Sequence, residues 1–113
     1  MESVDKELLR RQISANNFIK NNGIVLTTIN ILRFKYSKLS AIESVFRTRG
    51  VSKSEFLDSV NFLSEEKYIR LREITTKEEV ELADVDWDTL EAKLTGKGIR
   101  LLGGGIEDNM IEV

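Results

Sequence analysis

The chain has 113 residues, enough for one domain with its own core, and 41% apolar against 32% charged residues is a globular rather than a disordered balance. It contains no Cys and no His, which excludes thiol nucleophiles, disulfides, imidazole bases and thiolate or imidazole metal sites. The net charge of -2 is unevenly spread: residues 1–60 hold 10 Lys+Arg against 6 Asp+Glu, and residues 61–113 hold 7 against 13.

Residues 4–20 place Val4, Leu8, Ile13 or Ala15, and Ile19 at roughly helical spacing, which predicts an amphipathic helix. Asn21-Asn22-Gly23 reads as its stop, with Gly23 suited to a left-handed C-terminal position. Residues 24–36 are ambiguous. Ile24, Val25, Thr27, Thr28, Ile29 and Ile31 are β-branched and favour strand, whereas the length and the Val25, Ile29, Leu32, Tyr36 stripe favour helix. A buried helix is the reading adopted. Ser40 and Glu43 have the spacing of a capping box, and Ala41, Ile42, Val45 and Phe46 then form an apolar face up to Gly50. Ser52 and Glu55 form a second box, followed by a helical stripe of Phe56, Leu57, Val60 and Leu63. Two helices joined by Gly50-Val51-Ser52 make a helix-turn-helix, with Val51 as the apolar plug of the turn.

From Tyr68 the period changes to two, and Tyr68–Ile74 predicts a strand. Thr76–Glu79 suggests a short helical turn inside a loop, and Leu90–Leu94 the returning strand. Thr95 caps a short helix over residues 96–102, and Gly103-Gly104-Gly105 closes the ordered part. The expected division is therefore an N-terminal helix at 1–23, a domain at 24–103 and a flexible tail at 104–113. No run reaches the ~18 apolar residues of a membrane helix. Met1–Arg11 lacks the apolar stretch of a signal peptide, so a cytoplasmic protein is expected.

The runs VSKSEFLDSVNFLSEEKYIRL (51–71), with its E-x-x-Y-I step, and AKLTGKGIRLL (92–102), with its L-T-x-K-G helix start, resemble small bacterial and phage winged-helix proteins. The resemblance spans about residues 24–103. It implies a mainly α fold with a small antiparallel β-hairpin, preceded here by an extra N-terminal helix. It also implies double-stranded DNA binding in a transcription-regulator-like role. The second helix of the motif would lie in the major groove, with the hairpin against the backbone.

The candidate DNA-binding residues follow from that implied docking. Arg47, Arg49 and Lys53 at the turn, Arg70 and Arg72 on the first hairpin strand, and Lys77 in the loop would meet phosphates. On the outer face of the second motif helix, Ser54, Glu55, Asp58, Ser59 and Asn61 are the polar positions, with Ser54 and Asn61 suited to base edges. That helix region departs from the pattern: over Lys53–Lys67, two lysines face Glu55, Asp58, Glu65 and Glu66. Because phosphate neutralisation supplies most DNA affinity, an acidic helix also permits the alternative, a winged-helix protein–protein interaction module without DNA binding. A structural component of a phage-type assembly is a third reading.

Asp84, Asp86 and Asp88 lack the glycine and terminal Glu of a calcium loop, and read as an acidic loop anchored by Trp87. The glycines fit no phosphate-binding fingerprint. No carboxylate pair has a hydrolase context, so no enzyme activity, metal or cofactor is expected. Leu8, Leu9 and Ile13 exceed what one helix face needs, which suggests a homodimer.

Overall fold

The computed structural model describes residues 2–113, with side chains from Asp5 onward. The described residues form a mainly helical fold with a small antiparallel sheet, in the order α1 (Glu2–Asn30), β1 (Ser37–Lys38), α2 (Leu39–Thr48), α3 (Lys53–Glu65), β2 (Ile69–Glu73), β3 (Leu90–Leu94) and α4 (Gly96–Leu102). The sheet order is β1-β3-β2. Leu71 lies opposite Ala92 and Arg72 opposite Glu91, while Ser37 takes the other edge of Ala92. No helix among the described residues is long and apolar enough to cross a membrane.

The first helix runs unbroken through Asn21-Asn22-Gly23, where the sequence suggests a stop. Gly23 serves contact rather than termination. A methyl group there would overlap the Glu112 carbonyl, so the missing side chain lets the C-terminal segment lie against the helix. Asn22 Nδ2 donates to the Met110 carbonyl at 2.9 Å, and the Glu112 N–H donates to the Ile19 carbonyl at 3.2 Å. Ile111 is buried between them in sequence. The Tyr68 hydroxyl donates to Asp108 Oδ2 at 2.6 Å, and burial followed by that bond pushes the phenol up to about 12. Residues 106–112, within the expected tail, are thus packed against the body. The expected boundary at residue 23 falls inside one helix.

Helix α1 ends at Asn30, short of the helix expected over 24–36. The Ile31 and Leu32 N–H groups return to carbonyls three residues back, at Thr28 and Ile29, and this tighter turn takes the chain out of the helix. Val25, Leu26 and Ile29 are buried, whereas Ile31, Leu32 and Phe34 stand exposed, Phe34 at 86%.

Helix α2 begins one residue before the predicted cap. Lys38 is its N-cap without a side-chain bond, and Ser40 is exposed. Glu43 does not reach back to the helix start. It turns inward and bonds Arg47 one turn on. Leu39, Ile42 and Phe46 are buried, and Ala41 and Val45 stay on the surface. Gly50, at φ +75°, stops the helix in the conformation glycine adopts without strain. Val51 is half-buried in the turn. The Ser52 hydroxyl oxygen accepts the Glu55 N–H at 3.2 Å and the hydroxyl donates to Glu55 Oε1 at 3.0 Å, so this cap forms.

The core lies where α1, α2 and α3 meet one face of the sheet: Leu26, Ile29, Phe46, Phe56, Val60 and Leu63 against Ile69, Leu71, Ala92 and Leu94. Lys67 takes the left-handed conformation after α3 (φ 65°), and the Tyr68 N–H closes on the Leu63 carbonyl. Thr95 accepts the Gly98 N–H at 3.1 Å and donates to the Lys67 carbonyl at 2.6 Å, tying the start of α4 to the end of α3.

Candidate interaction surface at the turn between α2 and α3

Helices α2 and α3 bring Arg47, Arg49 and Lys53 to the turn, and β2 with its loop presents Arg70, Arg72 and Lys77. They do not make a row of unopposed cations. Arg47 Nη2 lies 2.7 Å from Glu43 Oε2, and that hydrogen bond and charge raise the guanidinium pKa above its ordinary value. Arg70 lies 3.9 Å from Glu79, with both side chains exposed. Arg72 and Lys77 share Glu91, at 2.6 and 3.3 Å. Arg49 is the exposed C-cap of α2. Lys53, exposed at the start of α3, holds its Nζ 5.9 Å from the centre of the Trp87 ring.

Glu91 is the centre of the hairpin's electrostatics. It sits on the middle strand, where residues on both faces are covered, and only 6% of it is exposed. The Arg72 guanidinium, 3.5 Å from the centre of the Tyr36 ring, stacks above it, and Lys77 reaches in from a left-handed turn (φ 63°). Instead of the expected helical turn at 76–79, the loop bridges Arg72 to Glu79. Burial opposes ionisation of Glu91, but the hydrogen bonds and charges of Arg72 and Lys77 outweigh it and lower its pKa.

A carboxylate whose pKa is lowered in the folded state stabilises above its unfolded value, and that contribution is lost as pH falls through the folded one. Glu91→Gln is expected to cost about 1.5–3 kcal/mol at neutral pH, as for a hydrogen bond to a charged group. The difference from wild type should shrink below about pH 4, where unfolded glutamate becomes protonated. Denaturant melts of both proteins at neutral and strongly acid pH measure it. An equal difference at both would separate the stability of the hairpin from this ion cluster.

The outer face of α3 is acidic. Glu55, Asp58 and Glu65 line one wall of a groove of about 960 Å³, whose opposite wall is α1 with Arg10 and Arg11. Phe18 and Phe62 meet within it edge to face, with ring centres 5.4 Å apart. Asn61 is exposed but looks into this groove, and Ser54 is exposed near the start of the helix. Ser59, counted among the outward polar positions from sequence, is fully buried with its hydroxyl unpartnered, so it cannot read a base. Trp87 packs edge to face on Phe56, with centres 6.1 Å apart, and fixes the acidic β2–β3 loop to the core.

Two residues that sequence reasoning missed, Glu43 and Glu91, organise these cations. The Glu43–Arg47 spacing of four was a usable signal, as was the Arg72–Glu91 opposition once the two strands are aligned as a hairpin. No protein-family model matches the chain, and no curated protein or solved structure matches it.

Proposed function

We propose that this chain is a winged-helix module that works by binding protein rather than nucleic acid. The order helix, strand, helix, turn, helix, strand, loop, strand, with the sheet arranged β1-β3-β2, supports the winged-helix reading. The observation that carries the choice of partner is the acidic outer face of α3, in the position of a recognition helix, together with the pairing of Arg47, Arg70, Arg72 and Lys77 to carboxylates. A phosphate backbone would have to displace those carboxylates, and beside α3 it would meet Glu55, Asp58 and Glu65 against two arginines, Arg10 and Arg11. The reading includes no catalysis and no cofactor, and it keeps the cytoplasm as the expected location.

Arg49 and Lys53 favour a second reading. No ion pair ties either of them among the described residues, and they flank the turn where backbone phosphates are commonly held in a DNA-binding, transcription-regulator-like protein. Fluorescence anisotropy with random and selected duplexes at low salt, where charge attraction is strongest, separates the two. The interaction reading expects no duplex to bind. If duplexes do bind, the DNA reading replaces it. Arg49→Glu should then weaken every sequence alike and lower the salt slope by about 0.9.

A further inference from the structure

We infer that the groove between α1 and α3 receives α1 of a second copy of this chain, in a two-fold interface that covers the acidic face of α3. This inference names the partner of the interaction reading above and rests on it. Three observations lead to it.

Every side chain of α1 from Asp5 to Asn17 is exposed, and Leu8, Leu9 and Ile13 each expose about half their surface. A helical segment exposed along that whole length is marginal in water, so its helical state calls for a covering surface. The groove beside it has an apolar floor of Phe18 and Phe62 and an acidic wall of Asp58 and Glu65. The exposed stretch of α1 carries the complement: apolar Leu8, Leu9 and Ile13, interleaved with Arg10 and Arg11. Among the described residues Arg11 pairs with Glu7 one turn away, at 3.6 Å with both side chains largely exposed. That contact leaves the guanidinium available.

The commitment to a second copy follows from where the two halves lie. A two-fold interface uses one patch on both partners, so ridge and groove must sit side by side on one surface. Here they do: Arg10, Arg11 and Ile13 line the same groove as Asp58, Phe62 and Glu65. When two copies approach, each apolar ridge covers the other's Phe18–Phe62 pair, and each pair of arginines meets the other's acidic wall. Both contacts form together or neither does.

The test uses the full chain. Sedimentation equilibrium across the micromolar range should give twice the chain mass for the wild type. Ile13→Glu should give a monomer that still unfolds cooperatively, because Ile13 is exposed in the single chain, and that loses at most the helical signal of residues 5–17. Two charge variants sharpen it. R10E/R11E sets glutamates against an acidic wall, and D58K/E65K sets arginines against lysines, so each alone should be monomeric. Mixed in equal amounts they should form a heterodimer, since one reciprocal contact is then native and the other is restored with its charges exchanged.

A monomeric wild type, a dimer that survives Ile13→Glu, or no association in the mixture would overturn the two-fold interface. Those outcomes leave the interaction reading standing with a different protein partner. Duplex binding at low salt, by contrast, removes the interaction reading whatever the mass.

Discussion

Gly23→Ala is expected to destabilise the protein by about 1–3 kcal/mol, the range for forcing a group into a filled space, although alanine is the better helix former by about 1 kcal/mol. The added methyl would overlap the Glu112 carbonyl, and neither the middle of α1 nor a backbone carbonyl can give way as a flexible side chain would. The segment carrying Ile111 must lift, exposing that side chain and leaving Asn22 without its bond to Met110. Amide exchange at Ile111 and Glu112 and a urea melt report the two halves of the effect. The double variant with Ile111→Ala should lose less than the sum of the single variants, because both remove the same contact. A protected Glu112 amide in Gly23→Ala, with unchanged stability, would mean that the segment is not seated on this glycine.

Phe56→Ala should cost about 3–5 kcal/mol, a large share of the roughly 5–15 kcal/mol that holds a domain of this kind together. Phe56 is fully buried and joins three parts of the molecule: its own helix α3, Phe46 of α2 with ring centres 5.2 Å apart, and Trp87 of the β2–β3 loop. Truncation leaves a cavity and also removes the anchor of the acidic loop, so Trp87 fluorescence should shift as stability falls. Leu63→Ala, equally buried, should cost about 2–5 kcal/mol without the change at Trp87. Asn61→Ala, on the exposed side of α3, should stay within about 0.5 kcal/mol. Comparable losses at all three positions would place the wrong side of α3 inward.

Elements specified by neighbouring residues were legible in the sequence. Ser52 with Glu55 marks the start of α3, Thr95 marks α4, and the alternation of 69–73 and 90–94 marks the two longer strands. What was not legible depends on partners far along the chain. Gly23 looks like a helix stop because the atoms it makes room for belong to Glu112. Glu43 looks like a capping residue until Arg47 draws it inward, and β1 is two residues long, too short to show a period. The candidate site was legible as a set of basic positions and not as a charge pattern. Arg47 and Arg72 were found, but the buried carboxylates that oppose them were not, because the alternation of 90–94 assigns Glu91 to solvent.

The seat of the C-terminal segment on α1 also bears on the order in which the molecule is completed. Asn22 finds its acceptor 88 residues further on, and Ile19 receives the Glu112 amide across a still longer stretch. Closing so long a loop is entropically unfavourable until the rest of the chain has drawn the two ends together. Contacts of this kind raise contact order and slow folding. During synthesis the middle of α1 therefore emerges before Met110–Glu112, and the Asn22 amide exchanges water for the Met110 carbonyl only when that segment arrives. Helix α1 is made before the segment that completes it, and until that segment docks its uncovered surface is open to association with other chains.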